Sequence, residues 1–77
     1  MSKLSNLRIA DWKKFLQAVG CQFDHIKSGH EVWHRGDLTR PVVFQTHVEP
    51  VPEFVIRNSL RTLGLNRKQP EKIFLDL

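Results

Sequence analysis

The fold of this chain is decided by the stretch Lys27-Ser28-Gly29-His30-Glu31-Val32-Trp33-His34-Arg35. Ser28-Gly29 is a turn signal, and the residues on both sides of it alternate in polarity, which predicts a β-hairpin. We place its strands over Phe23–Lys27 and His30–Arg35. The two-residue turn sets the register between them. The predicted cross-strand pairs are Lys27 with His30, Ile26 with Glu31, His25 with Val32, and Asp24 with Trp33.

This register sorts the side chains of the hairpin onto two faces, because successive residues of a strand point to opposite sides of the sheet. We expect Ile26 and Trp33 to face the helices that cover the sheet, with the charged residues Asp24, Glu31 and Arg35 around them. The opposite face gathers His25, Lys27, His30, Val32 and His34.

A third strand is predicted over Pro41–His47, where apolar and polar residues again alternate. Its apolar side chains belong to the covered face of the sheet, and its polar side chains belong to the open face. The strand therefore turns Val42 and Phe44 inward, and Gln45 and His47 outward.

The segment before the hairpin has the apolar spacing of a one-sided helix. We predict this helix from about Ile9 to Val19, with Gly20 after its end and with Ser5 and Asn6 as candidates to cap its start. Such a helix needs a sheet on which to bury its apolar stripe. The stripe consists of Trp12, Phe15, Leu16 and Val19.

A second helix is predicted after Pro50 and Pro52, which end the sheet. Gly64 ends this helix, and Leu65 is expected to fold back onto its last turn. The apolar stripe is Ile56, Leu60 and Leu63, while Arg57 and Arg61 lie on an exposed side and Arg67 and Lys68 extend the positive charge beyond it. A short apolar tail, residues 73–77, is expected to form a last helical turn.

Together these elements predict an α+β fold in which a helix, a three-stranded antiparallel sheet and a second helix follow in order, with both helices on one sheet face. Residues 1–77 make one small domain, since a chain of 77 residues has room for a single core. Its net charge of +4 favours anionic partners such as nucleic acid. No apolar run is long enough to span a membrane and no signal-peptide pattern precedes the first helix, so we expect a cytoplasmic protein.

The order of these motifs resembles the HicA (YcfA-like) family of bacterial toxin ribonucleases, small proteins with a double-stranded-RNA-binding-domain-like fold. The resemblance covers most of the chain, and it departs from the family pattern at Ser28, Gln45 and Pro70. The matching phrases are Leu16 to Gly20 at the end of the first helix, Lys27-Ser28-Gly29-His30 in the hairpin, Trp33 in the next strand, Pro41 to His47 in the third strand, and Ile56 to Leu65 in the second helix.

The resemblance implies a toxin endoribonuclease of a type II toxin-antitoxin system that cleaves mRNA and is held inactive by a HicB-type antitoxin. It makes His30 the essential residue, as a general acid or base that works without metal or another cofactor. Lys27 is expected to hold the scissile phosphate, and His47 is a candidate second proton carrier. The expected RNA-binding residues are Lys27, Arg35, Arg57, Arg61 and Lys68.

Simpler interpretations of the same residues stay open. A histidine after a turn is often only a polar hairpin residue, and exposed arginines are often only a solvated helix face. The chain is then a non-catalytic RNA-binding module of the same fold, or a small structural subunit whose open sheet face contacts another protein. The oligomeric state is open as well.

The pair of His30 and His34 invites a metal interpretation that the spacing opposes. His30 and His34 are separated by about 13 Å if they lie four residues apart on one strand, which is too far for one ion. Only a cross-strand arrangement such as His25 with His34 would bring two ligands together. Cys21 is the only cysteine, so an intrachain disulfide is excluded, and we expect its side chain to be buried.

Overall fold

The order of elements in the computed structural model, which describes residues 7–65, is helix, three strands, helix. The strands form one antiparallel sheet in the order β1-β2-β3. The predicted α+β class and element order are thereby confirmed. The elements are α1 (Ile9–Ala18), β1 (Gln22–Lys27), β2 (His30–His34), β3 (Val42–Gln45) and α2 (Glu53–Leu63).

A single core joins both helices to one face of the sheet. The Trp12 ring of α1 stacks on Phe15 at a centroid distance of 5.4 Å and meets the edge of Phe44, in β3, at 6.5 Å. Because all members belong to one cluster, α1 and α2 cover the same sheet face, as predicted. The buried cluster consists of Leu7, Trp12, Phe15, Leu16, Cys21, Trp33, Val42, Phe44, Val51, Ile56, Leu60 and Leu63.

The hairpin register agrees with the prediction near the turn and departs from it further along. Lys27 pairs with His30, but Trp33 lies opposite Phe23, so the predicted pairing of Asp24 with Trp33 is wrong. A bulge between Phe23 and His25 adds one residue to β1 and shifts the register. As a result the Phe23 ring lies beside the Trp33 ring, with 6.0 Å between the centroids.

Ile26 does not join the core, which corrects the prediction that it faces the helices. Its side chain is 59% exposed, and every residue of β1 is exposed. The helices leave β1 uncovered although they cover β3 at the opposite edge, since the buried inward residues all lie on β2 and β3. The side of the sheet was therefore predicted correctly for Ile26, but its burial was not.

Glu31 takes the inward position opposite Ile26 and is only 6% exposed. One carboxylate oxygen lies 3.0 Å from Nζ of Lys13, and the other accepts a hydrogen bond of 3.1 Å from the Trp33 indole N–H. A buried carboxylate needs such partners, because the loss of hydration would otherwise destabilise the fold. This network ties α1 to β2.

The helix ends are held by contacts from elsewhere in the chain. The Glu49 carboxylate accepts a hydrogen bond of 2.8 Å from the Ile9 N–H at the start of α1, where negative charge is favourable. At the end of α2, Gly64 adopts a φ of 73° and the Leu65 N–H donates to the Leu60 carbonyl at 2.9 Å, which confirms the predicted stop. The predicted caps Ser5 and Asn6, and the predicted apolar tail, lie outside the described residues.

The third strand is shorter than predicted, because Pro41 and the segment 46–47 fall outside β3. After Gln45 the chain enters a turn, in which the Thr46 N–H donates to the Gly29 carbonyl. Within the described part of the chain, neither helix has the length and hydropathy needed to cross a membrane.

Candidate functional site

The face of the sheet opposite the helices carries the predicted histidine and lysine side chains. Alternation along the paired strands assigns them to this face, and the observed register preserves their predicted side near the turn. Val32 is half-buried here, while the polar residues are mostly exposed. The face consists of His25 and Lys27 on β1, His30, Val32 and His34 on β2, and Val43 and Gln45 on β3.

His30 occupies the centre of one end of this face. Its strand lies in the middle of the sheet, so Lys27 of β1 is its neighbour on one side and Gln45 of β3 is its neighbour on the other. These flanking residues leave the imidazole half-buried, whereas His25 and His34 are exposed. His30 is thus the histidine of the face whose orientation the surrounding chain restricts most.

The imidazole of His30 also has a defined tautomer. Its Nδ1 atom lies 3.1 Å from the backbone carbonyl oxygen of Ser28. A carbonyl oxygen only accepts hydrogen bonds, so Nδ1 must carry the proton and donate it. In the neutral ring Nε2 is then the unprotonated nitrogen, and this is the form required of a general base.

The turn that supplies this carbonyl has an unusual backbone. Both central residues have positive φ angles, 51° at Ser28 and 78° at Gly29, as in a type I′ hairpin turn. The Gly29 carbonyl oxygen accepts two hydrogen bonds from Thr46, one from its N–H at 2.9 Å and one from its hydroxyl at 3.2 Å. The segment after β3 thereby holds the turn next to His30 in place.

Ser28 is the strained position of this turn, since a left-handed conformation is costly for most side chains but tolerated by asparagine. We expect Ser28→Asn to raise the free energy of unfolding by about 0.5 to 1 kcal/mol, and Ser28→Val to lower it by at least as much. Urea unfolding of the three proteins measures both changes. Equal stability of the asparagine and valine variants would contradict a left-handed Ser28.

Lys27 is exposed beside His30, and no carboxylate within residues 7–65 lies within 4.0 Å of its ammonium group. Its charge is therefore available to an anionic ligand on the open face. A phosphate placed against this end of the sheet would meet the Lys27 ammonium and the His30 imidazole together. The structure brings these two predicted site residues into one place.

Arg35, by contrast, has a structural role. Its guanidinium donates two hydrogen bonds to Asp37, at 2.6 and 3.1 Å, and a third of 2.7 Å to the Val19 carbonyl at the end of α1. The hydrogen bonds from the Arg35 guanidinium lower the pKa of the Asp37 carboxyl. These contacts engage three of its N–H groups, and binding of RNA by Arg35 stays a prediction.

Arg57 and Arg61 are exposed on α2, as predicted, but they do not lie with His30. The helix packs on the covered side of the sheet through Ile56 and Leu60, and His30 points to the other side. The sheet thus separates the two arginines from the histidine face. Lys68, like Arg67, lies outside the described residues.

His47 follows Thr46 in the turn after β3 and is exposed. It therefore does not occupy the outward strand position that was predicted for it. The Thr46 contact with Gly29 brings this turn next to the hairpin, but no hydrogen bond links His47 to His30 in the part of the chain that is described. Its role as second proton carrier stays a prediction.

Two other candidate chemistries can be checked in residues 7–65. No three histidine, cysteine or acidic side chains lie together there in a group that would hold a metal ion. Cys21 is buried, as predicted, and burial raises the pKa of its thiol. A thiol in that state is a poor nucleophile, which agrees with a packing role.

The sequence prediction missed three contributors to the site. The Ser28 carbonyl could not be predicted, because every residue has a backbone carbonyl and the residue type does not show which one contacts His30. Thr46 and Gln45 were assigned no part, although extending the hairpin register to the third strand would have placed Gln45 beside His30.

Each of the short motifs that are similar to the HicA family is unspecific by itself, because turns and helix ends of these kinds occur in many folds. The resemblance lies in the order of these motifs along the chain. In comparisons with known proteins, the chain matches no family model, no curated protein and no solved structure.

Proposed function

We propose that this protein is a toxin endoribonuclease of the HicA type that cleaves mRNA without a metal ion, with His30 as its general acid or base. The observation that carries the proposal is the bond from His30 Nδ1 to the Ser28 carbonyl, which leaves Nε2 for chemistry beside Lys27. Proton transfer by a positioned histidine needs such a defined orientation and tautomer.

The proposed reaction uses the RNA itself as nucleophile. Nε2 of His30 takes the proton of a ribose 2′-hydroxyl, whose oxygen attacks the adjacent phosphorus. The bond from phosphorus to the 5′-oxygen breaks, and that oxygen receives a proton from an acid or from water. The conjugate base left by this donor takes up the proton held by His30, which returns the imidazole to its neutral form. The products are a 2′,3′-cyclic phosphate and a 5′-hydroxyl, so atoms and charges balance with no oxidant or further reactant.

Lys27 is the electrostatic partner in this proposal. Negative charge builds on the non-bridging phosphate oxygens during attack, and a cation at the neighbouring register position stabilises it. Gln45, on the other side of His30, offers an amide that can donate to the same phosphate. These two neighbours would hold the scissile phosphate over the histidine.

A direct test is cleavage of an mRNA fragment by the purified protein in excess EDTA. We expect cleavage to continue, products to end in 2′,3′-cyclic phosphate, and a 2′-deoxy substitution at the cleaved position to block the cut there. Mass spectrometry of the products and gel analysis measure these outcomes. Loss of cleavage with EDTA, or cleavage of the 2′-deoxy substrate, would contradict the proposed chemistry.

The alternative function is a non-catalytic RNA-binding module of the same fold. The observation in its favour is that no second acid or base group within residues 7–65 is hydrogen-bonded to His30. With a single proton carrier, catalysis is limited to about 10² to 10⁴-fold for that step. The EDTA experiment separates the two functions, since a binding module would retain RNA without cutting it.

The proposed physiological partner is a HicB-type antitoxin that holds the toxin inactive. Occlusion of the open sheet face would be sufficient, because His30 and Lys27 both lie there. The net charge of +4 favours a partner with an acidic contact surface.

The position of Arg57 and Arg61 predicts an effect that depends on RNA length. We propose that they bind RNA flanking the cut, on the helix side of the domain. Arg57→Ala with Arg61→Ala should then reduce the salt slope of binding by about two for a long RNA. A short RNA confined to the His30 face should be bound equally by the variant and by the unchanged protein.

Lys27→Ala provides the contrast. Lys27 lies on the His30 face, so its loss should weaken the binding of both the short and the long RNA. Filter binding over a salt series gives the slopes. Equal effects of the double variant on short and long RNA would contradict the separation of the two surfaces.

A further inference from the structure

The outer edge of β3 presents backbone groups that no other strand of residues 7–65 pairs with. The sheet order is β1-β2-β3, so only one side of β3 is hydrogen-bonded within it. An unpaired strand edge is a template for another strand, and natural proteins usually cover or blunt it. Pro41 blunts only the start of this edge, where it removes one N–H.

The register between β2 and β3 identifies which backbone groups of β3 are not bonded to β2. Lys27 and His30 close the two-residue hairpin, and their backbone N–H and C=O groups bond to each other. These groups point to opposite sides of a strand in successive residues, so those of Glu31 and Trp33 point toward β3. Their partners Phe44 and Val42 point back to β2. The N–H of Thr46 donates to the Gly29 carbonyl, which agrees with this alternation of backbone groups along the chain. The N–H and C=O groups of Val43 and Gln45 therefore face the outer edge.

A groove of about 280 Å³ lies beside this edge, between β3 and α2. Its lining combines polar and apolar side chains in nearly equal share, and Phe54, one of the apolar residues, is 63% exposed. Arg40 is the charged residue among those that line it, and the side chain is exposed. Other lining residues are Val43, Val55, Asn58 and Thr62.

We propose that this edge and groove bind an extended acidic segment of a partner protein, which adds to the sheet as a fourth strand beside β3. Backbone groups that alternate along an edge match another peptide backbone and supply affinity with little dependence on sequence. Side chains on one face of the added strand fill the groove against Phe54 and Val55. Carboxylates of the segment pair with Arg40, and the net charge of +4 favours their approach.

This edge is separate from the proposed ribonuclease site, since neither His30 nor Lys27 lines the groove. A free edge also predicts a specific pattern of amide exchange in the protein without partner. The Val43 and Gln45 amides should exchange with solvent much faster than those of Val42 and Phe44, which bond to β2. Slow exchange at Val43 and Gln45 in the unbound protein would overturn the proposal, because another part of the chain or a second copy would already cover the edge.

The binding test uses a capped seven-residue peptide that alternates glutamate with valine, titrated into ¹⁵N-labelled protein. We expect shifts at β3 and α2 and slowed exchange at Val43 and Gln45. Two versions of the peptide carry N-methyl groups on alternate amides, in complementary patterns. One pattern should weaken binding at least about tenfold and the other should leave it nearly unchanged, because an added strand turns only alternate amides toward β3.

Equal effects of the two methylation patterns would overturn strand addition. Equal binding of a peptide with lysine in place of glutamate would overturn the preference for an acidic segment. Arg40→Glu should weaken binding of the acidic peptide about fivefold. Lys14→Glu, on the exposed side of α1, makes the same change of net charge and should leave binding unchanged. Equal losses in both variants would show attraction by net charge alone and would contradict a site at Arg40.

Discussion

Replacing His30 with alanine is expected to reduce RNA cleavage by about 10² to 10⁴-fold while RNA binding changes by less than about tenfold. The imidazole is the group whose tautomer is set by the Ser28 carbonyl, and its loss removes the proposed proton carrier. Lys27 would still attract the phosphate, so affinity should persist. Initial rates of cleavage and equilibrium binding, measured on the same RNA, separate the two effects.

His34→Ala is the matched control for this experiment. His34 lies on the same strand and the same open face, but it is exposed and Gln22, not Lys27, lies opposite it. We expect this variant to cleave RNA at a rate within about twofold of the unchanged protein, since side chains away from the reacting atoms contribute little to proton transfer. If the two alanine variants cleave equally well, His30 is not the catalytic residue.

The largest effect on stability is expected from Trp12→Ala. Trp12 is fully buried at the centre of the core, between Phe15 and Phe44. Loss of a buried tryptophan costs about 3 to 5 kcal/mol, whereas a domain of 77 residues is stable by only about 4 to 12 kcal/mol. Thermal unfolding should show a fall in Tm of at least about 12 °C, or no folded state at all.

Trp12→Phe tests whether ring packing or the indole N–H accounts for this cost. The Trp12 Nε1 atom is buried and has no hydrogen-bond partner in the described structure, so phenylalanine gives up no hydrogen bond there. We expect a loss below about 1.5 kcal/mol, because most of the apolar contact is retained. A loss as large as that of the alanine variant would show that the N–H makes a stabilising bond.

The hairpin shows how far local sequence patterns reach. Ser28-Gly29 and the alternating residues around it predicted the turn and the three nearest pairs, since a two-residue turn constrains the strands that it joins. Beyond these pairs the bulge at Asp24 changed the register. No residue pattern announced that bulge, because its position depends on how Phe23 packs against Trp33 across the strands.

Burial followed the position of each strand in the sheet more closely than it followed residue type. Ile26 and Glu31 are a cross-strand pair on the same face, yet the isoleucine is exposed and the glutamate is buried. The helices leave β1 exposed at one edge of the sheet, while they cover the inward residues of β2 and β3. Lys13 then supplies the charge that makes a buried Glu31 tolerable.

The sequence by itself determined the α+β order, the two amphipathic helices with the glycine stop at Gly64, and the pairing of Lys27 with His30. These features depend on periodicity and turn chemistry, which act between residues close in the chain. Tertiary structure alone decided that Thr46 holds the turn, that Arg35 binds Asp37 and Val19, and that the sheet separates Arg57 from His30. Those outcomes depend on contacts between distant segments, which form only when the helices and the sheet pack around one core.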